Sequence, residues 1–152
     1  MLVFKKVITS AEAEILRNIR NECKDFMTRS TSFITEEQQQ AWFKTAYERY
    51  DLYIAYSVEH GAVVVDAGYG LIHKDGDVSL LSGGLLPQYR DKGLGSILFK
   101  HLIDNCDKKK TIQLEVLNTN TRAYKVYEKL GFKIISTNSK VTFMEYQYDS
   151  SI

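Results

Sequence analysis

Proline is nearly missing from this chain, with Pro87 alone among 152 residues, and cysteine is scarce, with Cys23 and Cys106 far apart. A single proline excludes a proline-rich linker, and no repeat or low-complexity tract marks a break between domains. Two distant cysteines are too few for a disulfide framework and lack metal-ligand spacing, which points to a reducing compartment, the cytoplasm. His60, His73 and His101 have neither i, i+4 spacing nor carboxylate companions, so they read as turn, strand and helix residues and no metal is expected. Net charge is also lacking. The balance of 20 basic and 19 acidic residues leaves +1, which offers no broad attraction for nucleic acid or an anionic membrane. The one dense basic run, Lys108-Lys109-Lys110, follows a predicted helix end and reads as a solvated cap. No apolar stretch approaches a membrane span, and the N-terminal strand pattern broken by Lys5 and Lys6 lacks the apolar core of a signal peptide. What remains is an ordinary globular composition, 44% hydrophobic and 26% charged, expected to form one soluble domain over residues 1–152, as a monomer or a homodimer.

Local signals divide the chain into an α/β order. Residues 2–8 have strand character, and Thr9-x-x-Glu12 can form a capping box that starts a helix ending at residue 23 or 25, with Ile15, Leu16 and Ile19 on its buried face. A Ser- and Thr-rich loop over 27–34 precedes a second box, Thr35-x-x-Gln38, and a helix through Trp42, Phe43 and Tyr47. Residues 51–59 and 62–74 are strand-like around a His60-Gly61 turn, and Asp75-Gly76 is a strong hairpin signal before a strand over 78–86. Gly83-Gly84 inside that strand predicts a bulge or a close backbone approach. A helix over 94–105 along Ile97, Leu98, His101 and Leu102, a strand over 111–117, a helix capped by Asn120 and closed by Gly131, and a terminal hairpin over 132–136 and 141–148 complete the order.

The most informative segment joins the strand end Leu85-Leu86-Pro87 to a helix through Arg90-Asp91-Lys92-Gly93-Leu94-Gly95-Ser96. A helix N-terminus presents N–H groups without intrahelical partners and the positive end of its dipole, so a phosphate is stabilised there. Glycine at 93 and 95 lets backbone approach such a ligand closely. Arg90-x-x-Gly93-x-Gly95 resembles the pyrophosphate-binding motif of the GNAT superfamily of N-acetyltransferases. Asn120, Ala123, Tyr127 and Gly131-Phe132 are similar to that family's later helix motif, so the two motifs together cover about residues 76–135. A dinucleotide-binding reading fails because the third glycine position of the G-x-G-x-x-G pattern is Leu98.

The resemblance implies an α/β (α+β) fold with a central mixed, twisted sheet of about seven strands, splayed between the fourth and fifth, with about four helices and a bulge in the fourth strand. It implies acetyl-CoA as co-substrate, held by Leu85 and Leu86 through backbone pairing with the pantetheine arm. Arg90, Asp91, Lys92, Gly93, Leu94, Gly95 and Ser96 would hold the diphosphate, chiefly through backbone, and Asn120 would offer an amide. Tyr127 stands where the family places the general acid that protonates the leaving thiolate, a role suited to a phenol with an ordinary pKa near 10; Tyr124, one turn earlier, fits the motif less well. No acidic side chain occurs over 78–86, so Glu115 on the next strand is the candidate base. The leading segment is similar to family members that acetylate nucleotide-linked deoxy amino sugars: Arg20, Asn21 and Arg29 could hold a diphosphate, and Phe26 or Trp42 could stack on a ring. Neither cysteine lies in a matched motif, so direct attack by the amine in a ternary complex is expected rather than an acetyl-enzyme. Protein, peptide or polyamine acetylation, and a non-catalytic acyl-CoA-binding module, remain as alternatives.

Overall fold

The structure, a computed structural model, describes residues 1–26, 32–59 and 63–148. The chain runs β1 (Leu2–Lys6), α1 (Ser10–Glu22), α2 (Glu36–Arg49), β2 (Tyr50–Glu59), β3 (Val63–Asp75), β4 (Val78–Leu85), α3 (Leu94–Asp104), β5 (Thr111–Leu117), α4 (Thr121–Leu130), β6 (Phe132–Thr137) and β7 (Val141–Tyr146), with short 3-10 turns at Lys24–Phe26 and Pro87–Tyr89. Both capping boxes form as their sequences predict. The Thr9 and Thr35 hydroxyls accept from the N–H groups of Glu12 and Gln38, whose side chains return to the cap backbone. The Asp75-Gly76 hairpin also forms, pairing Asp75 with Val78, and Gly131 ends α4 at φ +114. The His60-Gly61 turn lies outside the described residues.

Seven strands make one sheet in the order β1-β2-β3-β4-β5-β7-β6. Every neighbouring pair is antiparallel except β4 and β5, which run parallel and are joined by α3. Alternating side chains supply a core on each face. Leu98, Phe99 and Leu102 of α3 and Tyr127 of α4 pack on Ile72, Leu81, Ile112, Leu114, Val116 and Met144. Across the sheet, Ala13, Leu16 and Ile19 of α1 pack on Leu52, Ile54, Tyr69 and Leu71. The α1 stripe is thus close to the expected one, whereas Ile97 points outward, 47% exposed, and Phe99 takes the core position on α3.

The sheet opens beside β4. Parallel pairing of β4 and β5 stops at Leu81↔Leu114, although β4 continues to Leu85 and β5 to Leu117. The expected bulge at Gly83-Gly84 does not occur, since β3 and β4 keep continuous register from Val78 through Leu85. The irregularity falls one strand pair earlier, where Ala55 and Tyr56 pair with Gly68 and Asp66 and leave Ala67 extra. Close approach is what the glycines provide. A Cβ at position 83 would lie 2.8 Å from the Tyr69 carbonyl oxygen and 3.3 Å from Leu98, and one at position 84 would lie 3.1 Å from the Cys23 sulfur. Among the described residues, no helix is long and apolar enough to cross a membrane.

Candidate active site

The divergence of β4 and β5 opens a cleft of about 800 Å³ that passes through the sheet, reached by Arg20 and Trp42 from one face and by Phe99, Ala123 and Tyr127 from the other. Of the residues expected to hold a diphosphate, Arg90, Asp91, Gly93, Leu94 and Gly95 line it. Gly93 is the N-cap of α3 at φ +74, and among the described residues no side chain caps that end. The first-turn N–H groups are therefore left for a ligand or solvent. A Cβ at position 93 or 95 would meet no protein atom within 4 Å, so the space over this turn is open. Asp91, itself at φ +63, turns its carboxylate to Arg122 at 2.7 Å, which balances its negative charge. Lys92 is exposed and lies 6.0 Å from the Tyr89 ring, and the Ser96 hydroxyl donates to the Gly93 carbonyl; neither lines the cleft.

At the end of β4 the Leu85 carbonyl accepts from Arg90 Nε at 2.9 Å and from the Cys23 thiol at 3.5 Å. The Leu86 N–H donates to the Ala67 carbonyl at 2.8 Å and is spent on β3, and Leu86 itself is buried. Cys23, which sequence reasoning had kept apart from the site, lines the cleft. Burial pushes its thiol up while Arg90 opposes the shift, so it stays protonated at neutral pH and is a poor nucleophile.

Tyr127 lines the cleft and is 8% exposed, its ring edge-on to Phe99 at 4.7 Å. Burial, with Tyr69 adding to it, raises its phenol well above the ordinary value. Tyr124 does not line the cleft; its hydroxyl donates to Glu128 at the surface. The Asn120 side chain accepts from the Ala123 N–H at 3.2 Å as the α4 cap and also borders the cleft. Glu115 lines the cleft as well. Its neighbours Leu114 and Val116 belong to the core under α3 and α4, so alternation along β5 puts Glu115 on the α1 and α2 face.

On that face the expected acceptor residues part company. Arg20 and Trp42 line the cleft, with the guanidinium carbon 5.4 Å from the indole ring. Asn21 does not. Its amide accepts from the Ile34 N–H at 2.7 Å and donates to the Ile34 carbonyl at 2.9 Å, bracing the chain that enters α2. Arg29 and the Phe26 side chain lie outside the described residues. Tyr50, His73 and Tyr69 were not expected here. Tyr50 stacks on His73 at 4.4 Å, and burial raises the Tyr69 phenol to about 12. Tyr69 and His73 sit in what reads locally as ordinary strand, and only the folded sheet brings them to the cleft. Among the described residues, no cluster of His, Cys, Asp or Glu could hold a metal ion.

Comparison with known proteins gives this arrangement a context. The acetyltransferase (GNAT) family model matches residues 14–132. Over 58 residues the chain is 40% identical to the ribosomal protein bS18-alanine N-acetyltransferase of Escherichia coli K12, a match covering 37% of this chain and 39% of that protein. The chain thus spans about two-fifths of the length of the curated relatives it matches. Its fold is shared with a phosphinothricin acetyltransferase from Sinorhizobium meliloti solved with acetyl-CoA, at TM-score 0.76 and 17% identity over 95% of this chain and 86% of that one. A spermidine N-acetyltransferase from Vibrio cholerae, solved with CoA and spermine, gives 0.75 and 14% over 95% and 94%. With a family match running through most of its length and a sheet that parts in the same manner its sequence motifs imply, the chain belongs to the GNAT family of acetyltransferases.

Proposed function

We propose that this chain transfers the acetyl group of acetyl-CoA to the primary amine of a small molecule, by direct attack within a ternary complex. The observation that carries the reading is the parting of β4 and β5 into a cleft with an uncapped helix N-terminus at one end and a buried phenol inside it. The residues present fit the co-substrate, because the turn at Gly93 and Gly95 is open to a ligand where any side chain would intrude. The first-turn N–H groups of α3 hold the diphosphate, with Arg90 steadying the end of β4 beside it. Acetyl-CoA, when bound, supplies an activated thioester.

Tyr127 keeps its proton throughout the physiological range, since burial has moved its phenol upward. That shift weakens it as an outright acid relative to a thiol of pKa about 8.5. Its hydroxyl acts first as a hydrogen-bond donor to the departing sulfur, in surroundings whose low polarity raises the basicity of a thiolate as well. Glu115 serves the amine, directly or through water, as an acidic side chain on the α1 and α2 side of the cleft. The protonated Cys23 thiol leaves direct attack as the simpler course. Both cysteines are free and buried, in keeping with a reducing cytoplasm.

The narrower expectation, an amino group on a nucleotide-linked deoxy sugar, draws support from Arg20 and Trp42 in the cleft and none from Asn21, which is committed to Ile34. Calorimetry with acetyl-CoA, followed by thiol release across a panel of amino sugars, amino acids, polyamines and peptides with a free N-terminal alanine, tests the reading. Saturable binding with turnover on a small amine is expected. Binding without thiol release on any amine would make the chain an acyl-CoA-binding module, and preference for the peptides would make it a protein acetyltransferase.

A further inference from the structure

We infer that the amine acetylated in this cleft carries a carboxylate or phosphoryl group, and that Arg20 is the residue that recognises it. The inference rests on the acetyltransferase reading above and narrows the class of acceptor. Helix α1 presents two arginines within one turn of each other, and their circumstances differ. Every nitrogen of Arg17 is engaged: its Nε donates to Glu14 at 2.9 Å, a second nitrogen donates to the same carboxylate, and a third reaches the Ile34 carbonyl at 2.9 Å. Arg20 makes no hydrogen bond or ion pair among the described residues, and its Nε is buried without an acceptor. A guanidinium has five donors and no way to shed its charge at neutral pH. Lining a cleft with none of those donors answered among the described residues, it is placed for an oxyanion that arrives with a ligand.

The surroundings point the same way. Trp42 lies 5.4 Å beneath the guanidinium carbon, Trp42 meets Tyr50 edge-on at 5.2 Å, and Tyr50 stacks on His73 at 4.4 Å. This aromatic wall fixes the plane of the fork in advance, which favours two parallel hydrogen bonds to one carboxylate or phosphoryl group. Burial works against the cation on Arg20, with the Tyr69 and Tyr50 hydroxyls only partly opposing it. An anionic ligand group would offset that penalty. Of the described acids that line the cleft, Asp91 is paired with Arg122. Glu115 lies on the same face of the sheet as Arg20. A polyamine would bring only positive charge to Arg20.

Trp42 is the only tryptophan, so its fluorescence reports on this corner without turnover. With CoA present, the protein is titrated with pairs of amines that differ only in the anion: an amino acid against its amide, and an amino-sugar phosphate against the parent amino sugar, with spermine as a polycation. The anionic member of at least one pair should give a saturable change and bind roughly 10- to 100-fold more tightly than its neutral partner, the span expected of hydrogen bonds to a charged group. The pair that responds separates carboxylate from phosphoryl. In R20Q that difference should vanish, with the acceptor KM raised by the same factor, kcat changed far less, and acetyl-CoA affinity intact as evidence of folding. R20K, which keeps charge without the fork, should recover part of it. Equal binding within both pairs, preference for spermine, or discrimination that survives in R20Q would overturn the inference while leaving acetyl transfer standing. Failure to bind acetyl-CoA, or to release thiol with any amine, would instead remove the reading on which it rests.

Discussion

Replacing Gly95 by alanine should move stability and binding in opposite directions. Gly95 is the second residue of α3, and a Cβ built there meets nothing within 4 Å. The protein has no steric reason to resist the change, and exchanging glycine for alanine within a helix stabilises by up to about 1 kcal/mol. For a chain of this length that corresponds to a rise in Tm of up to about 2–4 °C. The same methyl enters the space in which a diphosphate would approach the first-turn N–H groups. Losing one hydrogen bond to a charged group costs about 1.5–3 kcal/mol, so the Kd for acetyl-CoA should rise roughly 10- to 100-fold. Thermal melting without ligand and calorimetry with acetyl-CoA measure the two effects separately. Wild-type affinity in a G95A protein that melts normally would refute the placement of the co-substrate. Gly93 is the poorer choice, because at φ +74 a bulky residue strains the backbone and would confound obstruction with damage to the fold.

Three further substitutions probe other parts of the site and its support. Tyr127→Phe should lower kcat at least about tenfold while leaving the acetyl-CoA KM and the Tm nearly unchanged, and unaltered turnover would take the hydroxyl out of the reaction. Asn120→Ala removes the hydrogen bond to the Ala123 N–H and should destabilise by about 1 kcal/mol, a fall of a few degrees in Tm; a larger loss of acetyl-CoA affinity than of stability would show that the amide also serves the ligand. His101 is packed between Phe4, stacked at 4.0 Å, and Tyr53, edge-on at 4.7 Å, with Nε2 buried and unpartnered, and burial lowers its pKa below 6.5 despite the nearby Asp104. Just below pH 6.5 the unfolded chain therefore binds more protons than the folded one, so stability should fall with pH from about 6.5 down through the lowered value and level off beneath it. His101→Phe should flatten that part of the denaturation profile, and an unchanged slope would assign the acid sensitivity elsewhere.

How much of this was legible in the sequence depended on the range over which each interaction acts. The two capping boxes, the Asp75-Gly76 turn and the Gly131 stop are decided by residues within four positions of one another, and all formed as read. The glycine-containing turn before α3 is equally local: Gly93 takes the left-handed N-cap position, and the space over Gly93 and Gly95 is open. The glycine pair at 83 and 84 was ambiguous, since bulge and close approach leave the same mark on a sequence. Packing chose close approach, because the Tyr69 carbonyl, Leu98 and the Cys23 sulfur occupy the space a Cβ would need. Ile97 was misplaced because the helical stripe around Leu98 and Leu102 admits either Ile97 or Phe99, two positions on, and α3 is turned to bury the larger ring.

The acceptor side shows where local reading ends, because residue type there says little until the partners are known. Arg17, Arg20 and Asn21 are polar neighbours on one helix with nothing in their immediate sequence to rank them. Glu14 lies three residues before Arg17 and could have been paired with it by helical spacing. The capture of Asn21 by Ile34 spans thirteen residues and depends on how the chain re-enters at α2. Arg20 is left over only after both of those commitments are made, and its aromatic wall comes from Trp42, Tyr50 and His73, which three different elements contribute. The specificity proposed for such a site therefore resides in subtraction: the fold consumes the polar groups it needs, and Arg20, which makes no hydrogen bond among the described residues, is what remains for a ligand. An Asn21→Ala variant tests that order of dependence. Freed from Asn21, the Ile34 backbone should lose its brace and the protein about 1–3 kcal/mol of stability, while acetyl-CoA affinity stays unchanged and recognition of the acceptor weakens through the displaced wall. Recognition that weakens with no loss of stability would instead mean that Asn21 touches the acceptor itself.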